Sequence, residues 1–299
     1  MAIIALASAK GSPGVTTTCL ALALTWPRPV LLVEADPAGG DVMAGYVRAE
    51  LRSDRGLAYL AVAARRDTLD NELRAQVVSI APEKASAHSA PVARWLLPGV
   101  TDPVESAGVA PSWPRLSDFF VALSRGGVAQ QSTGREPLDV IVDCGRLIST
   151  YPPLTVMTAA DLVLIVVRAS LRSASSAAPV VATVRREIVS GGGDARRMGL
   201  LVVEGGEYRT SDLGRALGVP VIATLPWREK DAAALSDGIG KVLDNAPLMR
   251  AARKTGEALL MRASRPPEVD AGGYPAPDAQ LSAAHAPSVV DSPPGVMRR

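Results

Sequence analysis

Six short runs of the chain are apolar at nearly every position: Ile3 to Ala7, Pro29 to Val33, Val140 to Val142, Leu162 to Val167, Leu200 to Val203 and Val219 to Ala223. A strand with no polar face must be covered on both sides, which is the habit of parallel sheets. The stretches between most of these runs are long enough for helices, and parallel neighbours need such crossovers. The expected architecture is therefore α/β and doubly wound, a mostly parallel sheet with helices on both faces. Its first unit is a strand, a turn from Lys10 to Val15, and an Ala/Leu-rich helix from Thr16 to Thr25. Met1 to Ala9 mimics a secretory leader but lacks a positive start and runs straight into Lys10-Gly11, so it reads as a buried strand.

Composition narrows the class. Of 299 residues, 47% are hydrophobic and 21% charged, with no apolar run of the roughly 18 residues that a membrane span requires. Lys plus Arg total 32 against 30 acidic residues, and a net charge of +2 does not mark a nucleic-acid coat. The two cysteines, Cys19 and Cys144, fit neither a disulfide framework nor a four-ligand metal site; the expected location is the reducing cytoplasm. His88 and His285 lie in Pro/Ala/Ser-rich sequence without partner ligands and read as solvated.

The middle of the chain is less legible. Gly56 to Arg66 and Arg115 to Ser124 read as helices and Ala93 to Leu97 as a short strand, while prolines at 82, 91, 98, 103, 111 and 114 predict a loop-rich insertion over about 81–114. After Arg265 the composition turns to Pro, Ala, Gly and Ser, which cannot bury enough surface to offset ordering entropy. The expected division is a folded domain over 1–264 and a disordered tail over 265–299.

The segment Ala9-Lys-Gly-Ser-Pro-Gly-Val-Thr-Thr-Thr18 joins the first strand to its helix, where backbone N–H groups and the helix dipole can hold an anion. An ordinary P-loop ends Gly-Lys-Ser/Thr, whereas Val15 follows Gly14 here, so the loop alone fits either a phosphate cradle or a plain tight turn. Its order of residues resembles the deviant Walker A of the ParA/MinD family of P-loop ATPases, a SIMIBI-class group whose loop reads like Lys-Gly-Gly-Val-Gly-Lys-Thr-Thr. The resemblance implies an ATP site built from Lys10, Gly11, Ser12, Gly14, Val15, Thr16 and Thr17. It places Lys10 across a nucleotide-sandwich dimer, Thr16 on Mg²⁺ and Thr17 beside the α-phosphate, and it leaves Val15 where the usual P-loop lysine belongs. The match extends to Val30-Leu-Leu-Val-Glu-Ala-Asp36, similar to the family's Walker A′, with Asp36 as the group that handles the attacking water and Glu34 in place of the usual aspartate. Leu138-Asp-Val-Ile-Val-Asp143-Cys-Gly resembles Walker B, with Asp143 serving Mg²⁺. Leu225-Pro226-Trp227 matches a loop near adenine, which makes Pro226 and Trp227 base-binding candidates. Val203-Glu204-Gly205, however, lacks the Asn that often reads the base. Altogether the similarity covers most of residues 2 to 240.

What the resemblance implies is a slow, Mg²⁺-dependent ATPase switch coupled to homodimerisation. Such a switch positions a cellular assembly together with a protein partner of a pilus or secretion system, as in the CpaE/TadZ-like branch, or takes part in chromosome or plasmid partition. Losing a charge such as the P-loop lysine typically costs about 10²- to 10³-fold in rate. The alternative is a pseudo-ATPase scaffold: Val15 and Glu204 favour it, while Lys10, Thr16, Asp36 and Asp143 oppose it. Arg185, Arg186, Arg196, Arg197, Arg209 and Arg215 form either a patch for non-specific DNA or solvated helix faces, the second being expected. Pro247 to Ser264 is a basic, partly amphipathic helix, expected to pack on the sheet rather than to lie on a membrane.

Overall fold

The computed structural model describes residues 1–11, 13–49, 55–80, 92–102, 104–126 and 138–264. Its eight strands are β1 (Ile3–Ser8), β2 (Val30–Glu34), β3 (Val78–Ser79), β4 (Arg94–Leu97), β5 (Asp139–Arg146), β6 (Leu162–Arg168), β7 (Met198–Val203) and β8 (Val221–Leu225). They form one sheet in the order β3-β4-β2-β5-β1-β6-β7-β8. All pairs are parallel except β3 with β4, a two-residue antiparallel edge that the apolar pattern is too short to announce. Chain order reverses at β1, which lies between β5 and β6, and such a switch point opens a crevice beyond the carboxyl ends of the strands.

Side chains alternate between two cores. Ile3, Ala5 and Ala7 enter one cluster with Leu31, Val33, Val140, Val142, Val163 and Ile165. Ile4, Leu6, Val30, Leu32, Ile141, Leu162 and Leu164 enter the other. This period of two, apolar in both phases, is why the strands read as unbroken runs. Over the first face lie α2 (Leu57–Arg65), α5 (Trp113–Arg125), α6 (Leu154–Ala159), α7 (Leu171–Ser190) and α8 (Thr210–Leu217). Over the second lie α1 (Val15–Thr25), α9 (Glu229–Ser236) and α10 (Pro247–Ala263). Two further helices, α3 (Leu69–Gln76) and α4 (Glu105–Val109), complete the set among the described residues.

Three expectations need correction or limits. The strand expected from Val219 begins at Val221, because Pro220 has no N–H to donate and only its carbonyl joins the ladder, accepting from Leu200 at 2.8 Å. The expected loop over 81–114 contains a helix in its described part. Glu105–Val109 runs through a 3₁₀ turn into Trp113–Arg125, with Pro111 and Pro114 in first turns where a missing N–H costs little. Residues 81–91, the two histidines and the expected tail over 265–299 lie outside the described residues.

The start of β1 is tied down by acids on its neighbours. Asp139, fully buried on β5, accepts from the Ala2 N–H at 2.7 Å, the Trp26 indole N–H at 2.9 Å and the Arg28 guanidinium at 2.8 and 3.0 Å. Asp161 accepts from the Ile3 N–H at 2.8 Å. Trp26 ends α1, and Gly256 of α10 lies against its ring, since a Cβ there would approach it at 3.1 Å. Leu248, Met249, Ala252 and Leu259 of α10 are buried in the same core, so the apolar face a membrane would need is already covered by protein. No helix among the described residues is long and apolar enough to cross a membrane. Replacing Asp139 with Ala strands two buried donors and leaves the half-exposed Arg28 unpaired, and we expect Asp139→Ala to lower unfolding free energy by about 3 kcal/mol, read from urea midpoints. An unchanged midpoint would show that the cluster contributes nothing net.

Candidate functional site

A cleft of about 750 Å³ opens at the carboxyl edge of the sheet, over the ends of β5, β1, β6, β7 and β8. Its wall includes Ser8, Pro13 to Thr18, Asp36, Asp41, Gly145, Arg146, Arg168, Pro226, Trp227 and Arg228. Most of the residues singled out in sequence therefore meet at one place. The loop leaves β1 after Ser8 and enters α1 through Gly14, whose φ of 95° lies in the left-handed region that favours glycine. No side chain caps the start of α1, which leaves its first N–H groups toward the cleft.

Beneath the loop, the Thr16 hydroxyl lies close enough to the Asp143 carboxylate to lower its pKa, and that carboxylate accepts from the Gly145 N–H at 2.9 Å. Asp143 falls on the α1 face because it keeps the phase of Asp139 and Ile141 along β5. Burial pushes its carboxyl up to about 6, against the pull of the Thr16 hydroxyl and the Gly145 N–H. Asp36 stands at the cleft wall just past β2, accepting from the Ala38 N–H at 2.8 Å. Burial raises its pKa as well, opposed by the Ala38 N–H and by the charge and backbone N–H of Arg146. Gly145 packs directly on the Asp36 side chain with a φ of 59°, so any Cβ there would collide with the carboxyl. The charge of Asp36 adds to the rise of the Asp143 carboxyl, so negative charge gathers beside an amide-rich loop.

Glu34, which replaces the aspartate usual at its place in the motif, has a structural job. At 2% exposure it faces inward, accepting from the Val42 N–H at 2.9 Å and the Gly99 N–H at 3.2 Å. It therefore fastens the loop after β2 to the turn after β4, and burial pushes its carboxyl up to about 7.

The remaining candidates divide. Thr17 and Pro226 line the cleft, and so does Val15, although its side chain is 6% exposed and belongs to the α1-side core. Lys10 and Gly11 are exposed and take no part in the cleft wall, and Ser12 lies outside the described residues. Trp227 lines the cleft, but one face of its ring carries the Arg168 guanidinium at 3.7 Å, so that face is not open for a base to stack on. The sequence reading did not single out Arg146, Arg168 or Arg228; the only signal for them was their place at the end of, or just after, an apolar strand. Cys19 and Cys144 are both buried, with thiol pKa values raised by burial, and Cys144 belongs to the core on the face away from α1.

The arginines weighed as a DNA patch or as solvated helix faces, the second being expected, are largely bonded within the chain. Arg185 donates to the Gly218 carbonyl, Arg197 to the carbonyls of Thr158 and Ala160, and Arg196 and Arg215 pair with Asp194 and Asp212.

Comparison with solved structures gives the same architecture. A ParA family ATPase from Chlorobium tepidum TLS is 20% identical with a TM-score of 0.60, over 86% of this chain and 98% of that one. MinD from Pyrococcus horikoshii OT3, complexed with Mg-ADP, is 18% identical with a TM-score of 0.58, over 86% and 94%. An Asp-to-Ala variant of Cyanothece McdA in complex with ATP is 18% identical with a TM-score of 0.59, over 90% and 99%. A scan against protein-family models and a search of curated proteins gave no match.

The raised Glu34 carboxyl yields a test of the site's support. A folded pKa of about 7, above the ordinary 4.5, means the protonated form is favoured by folding, so this stabilisation is fully present in acid and fades as pH rises through 7. Between pH 6 and pH 8 the group should cost about 1 kcal/mol of stability. Glu34→Gln should remove that part of the pH dependence, measured as urea midpoints at both pH values; an equal slope in the variant would contradict it. At the level of architecture, this chain has the fold of ParA/MinD-type P-loop ATPases, an eight-stranded, mostly parallel sheet covered by helices on both faces.

Proposed function

We propose that the protein binds ATP with Mg²⁺ and acts as a slow, dimerisation-coupled switch that positions a cellular assembly. The observation that carries this reading is that Thr16 and Asp36 line one cleft under the Gly14–Thr18 loop, with the buried Asp143 carboxylate close enough to Thr16 to feel its hydroxyl. One hydroxyl and one carboxylate suit Mg²⁺, which keeps several waters and takes its other ligands from phosphates rather than from an all-protein cage. The loop amides cradle the phosphates, Thr16 and Asp143 hold the cation, and Asp36 orients a water or takes its proton. The bound Mg²⁺ would neutralise charge on the phosphates.

Lys10 has a separate place in this reading. Its exposure outside the cleft wall of its own chain suits a group that serves a second copy. The cargo is read as a pilus or secretion assembly, or as a chromosome or plasmid. A nucleotide-free scaffold is the second reading, favoured by Val15 in the lysine position and by the Arg168 guanidinium lying on Trp227.

Titration calorimetry with ATP, with and without Mg²⁺, separates the two. Saturable binding that weakens about 10-fold in Thr16→Ala and Asp143→Asn only when Mg²⁺ is present is expected. Sizing should show a dimer with nucleotide that Lys10→Ala loses. Undetectable binding at millimolar ATP would leave the scaffold reading.

A further inference from the structure

The loop offers no cation of its own to the cleft, since Val15 holds the lysine position and its side chain joins the apolar core. A phosphate chain over these amides would face Asp36 and Asp41, with Asp143 buried behind the cleft wall, and nothing from the loop to offset them. Three arginines line the cleft instead. Arg168 lies on the Trp227 ring, toward β8. Arg228 precedes α9, also on the β8 side. Arg146 is placed differently. It is the last residue of β5 and pairs in register with Ser8, the residue from which the loop departs; the next N–H, that of Leu147, donates to the Ser8 carbonyl at 2.9 Å. Arg146 follows Gly145, which packs on the Asp36 side chain, and its charge and backbone N–H lower the Asp36 pKa against the rise caused by burial. The residue is exposed, and its guanidinium forms no ion pair among the described residues.

We propose that Arg146 supplies the positive charge that the loop lacks, donating from its guanidinium to the terminal phosphate of a bound nucleoside triphosphate. This rests on the nucleotide reading above. The assignment to the terminal phosphate follows from Asp36: the arginine stands beside the carboxylate that handles the attacking water, and that water meets the phosphate at the end of the chain. A guanidinium suits this place because its planar fork matches phosphate oxygens and is weakly hydrated. It also separates a phosphate from the Asp36 carboxylate, which would otherwise repel it. Arg146 is thus the charge partner of the phosphates, and Val15 is tolerated because the cation has moved from the start of α1 to the end of β5.

The test is calorimetric affinity for the Mg²⁺ complexes of ADP and of AMPPNP, a non-hydrolysed triphosphate, in the full chain. Arg146→Ala should weaken AMPPNP by about 10- to 100-fold, the worth of one charge-assisted hydrogen bond, and ADP by less than about 3-fold. Arg146→Lys, which keeps the charge, should recover most of the AMPPNP affinity. Adding Val15→Lys to Arg146→Ala should restore it by returning a cation to the loop. If the wild type binds both nucleotides and Arg146→Ala leaves AMPPNP within about 2-fold, or weakens both nucleotides equally, the proposal falls while nucleotide binding stands. If the wild type binds neither at millimolar concentration, the nucleotide reading falls and takes this one with it. The variant's melting temperature distinguishes lost affinity from lost fold, and the Lys and Val15→Lys variants carry the decision if Arg146→Ala does not fold.

Discussion

The parallel strands of this sheet are buried on both faces, and that constraint decides where chemistry can occur. A side chain in the middle of β1, β5 or β6 meets either the α1 core or the core on the opposite face, so ionisable groups are driven to the strand ends. At the amino ends the acids Asp139 and Asp161 are spent on holding backbone and side-chain donors. At the carboxyl ends Asp36 and Asp143 have few protein partners, because the loops there diverge around a cleft. Polarity at one edge is structural, and at the other it is available.

That availability has an electrostatic consequence. The charge of Asp36 raises the Asp143 pKa on top of the burial that both carboxyls suffer, and Thr16, Gly145 and Ala38 offset only part of it. A site of this kind gains from any cation that enters, whether a metal ion beside Thr16 or the guanidinium of Arg146. The Glu34 carboxyl lies behind them and shows the contrasting case: it has two backbone donors and no exposed edge, so it braces the loop that carries Asp36 and meets no ligand.

The sheet was legible because its apolar runs obey one rule, and the loop because a few small residues between a strand and a helix leave little else to form. What escaped the sequence had physical causes. Pro111 and Pro114 looked like loop signals but occupy first turns of helical segments, where proline's fixed φ is an advantage. Glu34 stood in the motif only as a replacement for an aspartate, and only its burial shows that it fastens two turns. The arginines of α7, α8 and the turn before β7 read as solvated helix faces or a basic patch, yet several are bonded to carbonyls and acids within the fold. Arg146 carried no pattern at all. Its relevance comes from register across β1 and β5, which pairs residues 138 positions apart and is invisible along the chain.

The tryptophans are distributed in a way that matters to anyone studying the molecule by light. Trp26 and Trp113 are sealed in the two cores, and Trp95 is half-covered within β4. Trp227 alone lines the cleft, 42% exposed and beneath a guanidinium. The protein therefore carries an intrinsic fluorophore at the mouth of its own cavity, and emission from that indole can register occupancy without a dye, a label or a change of sequence.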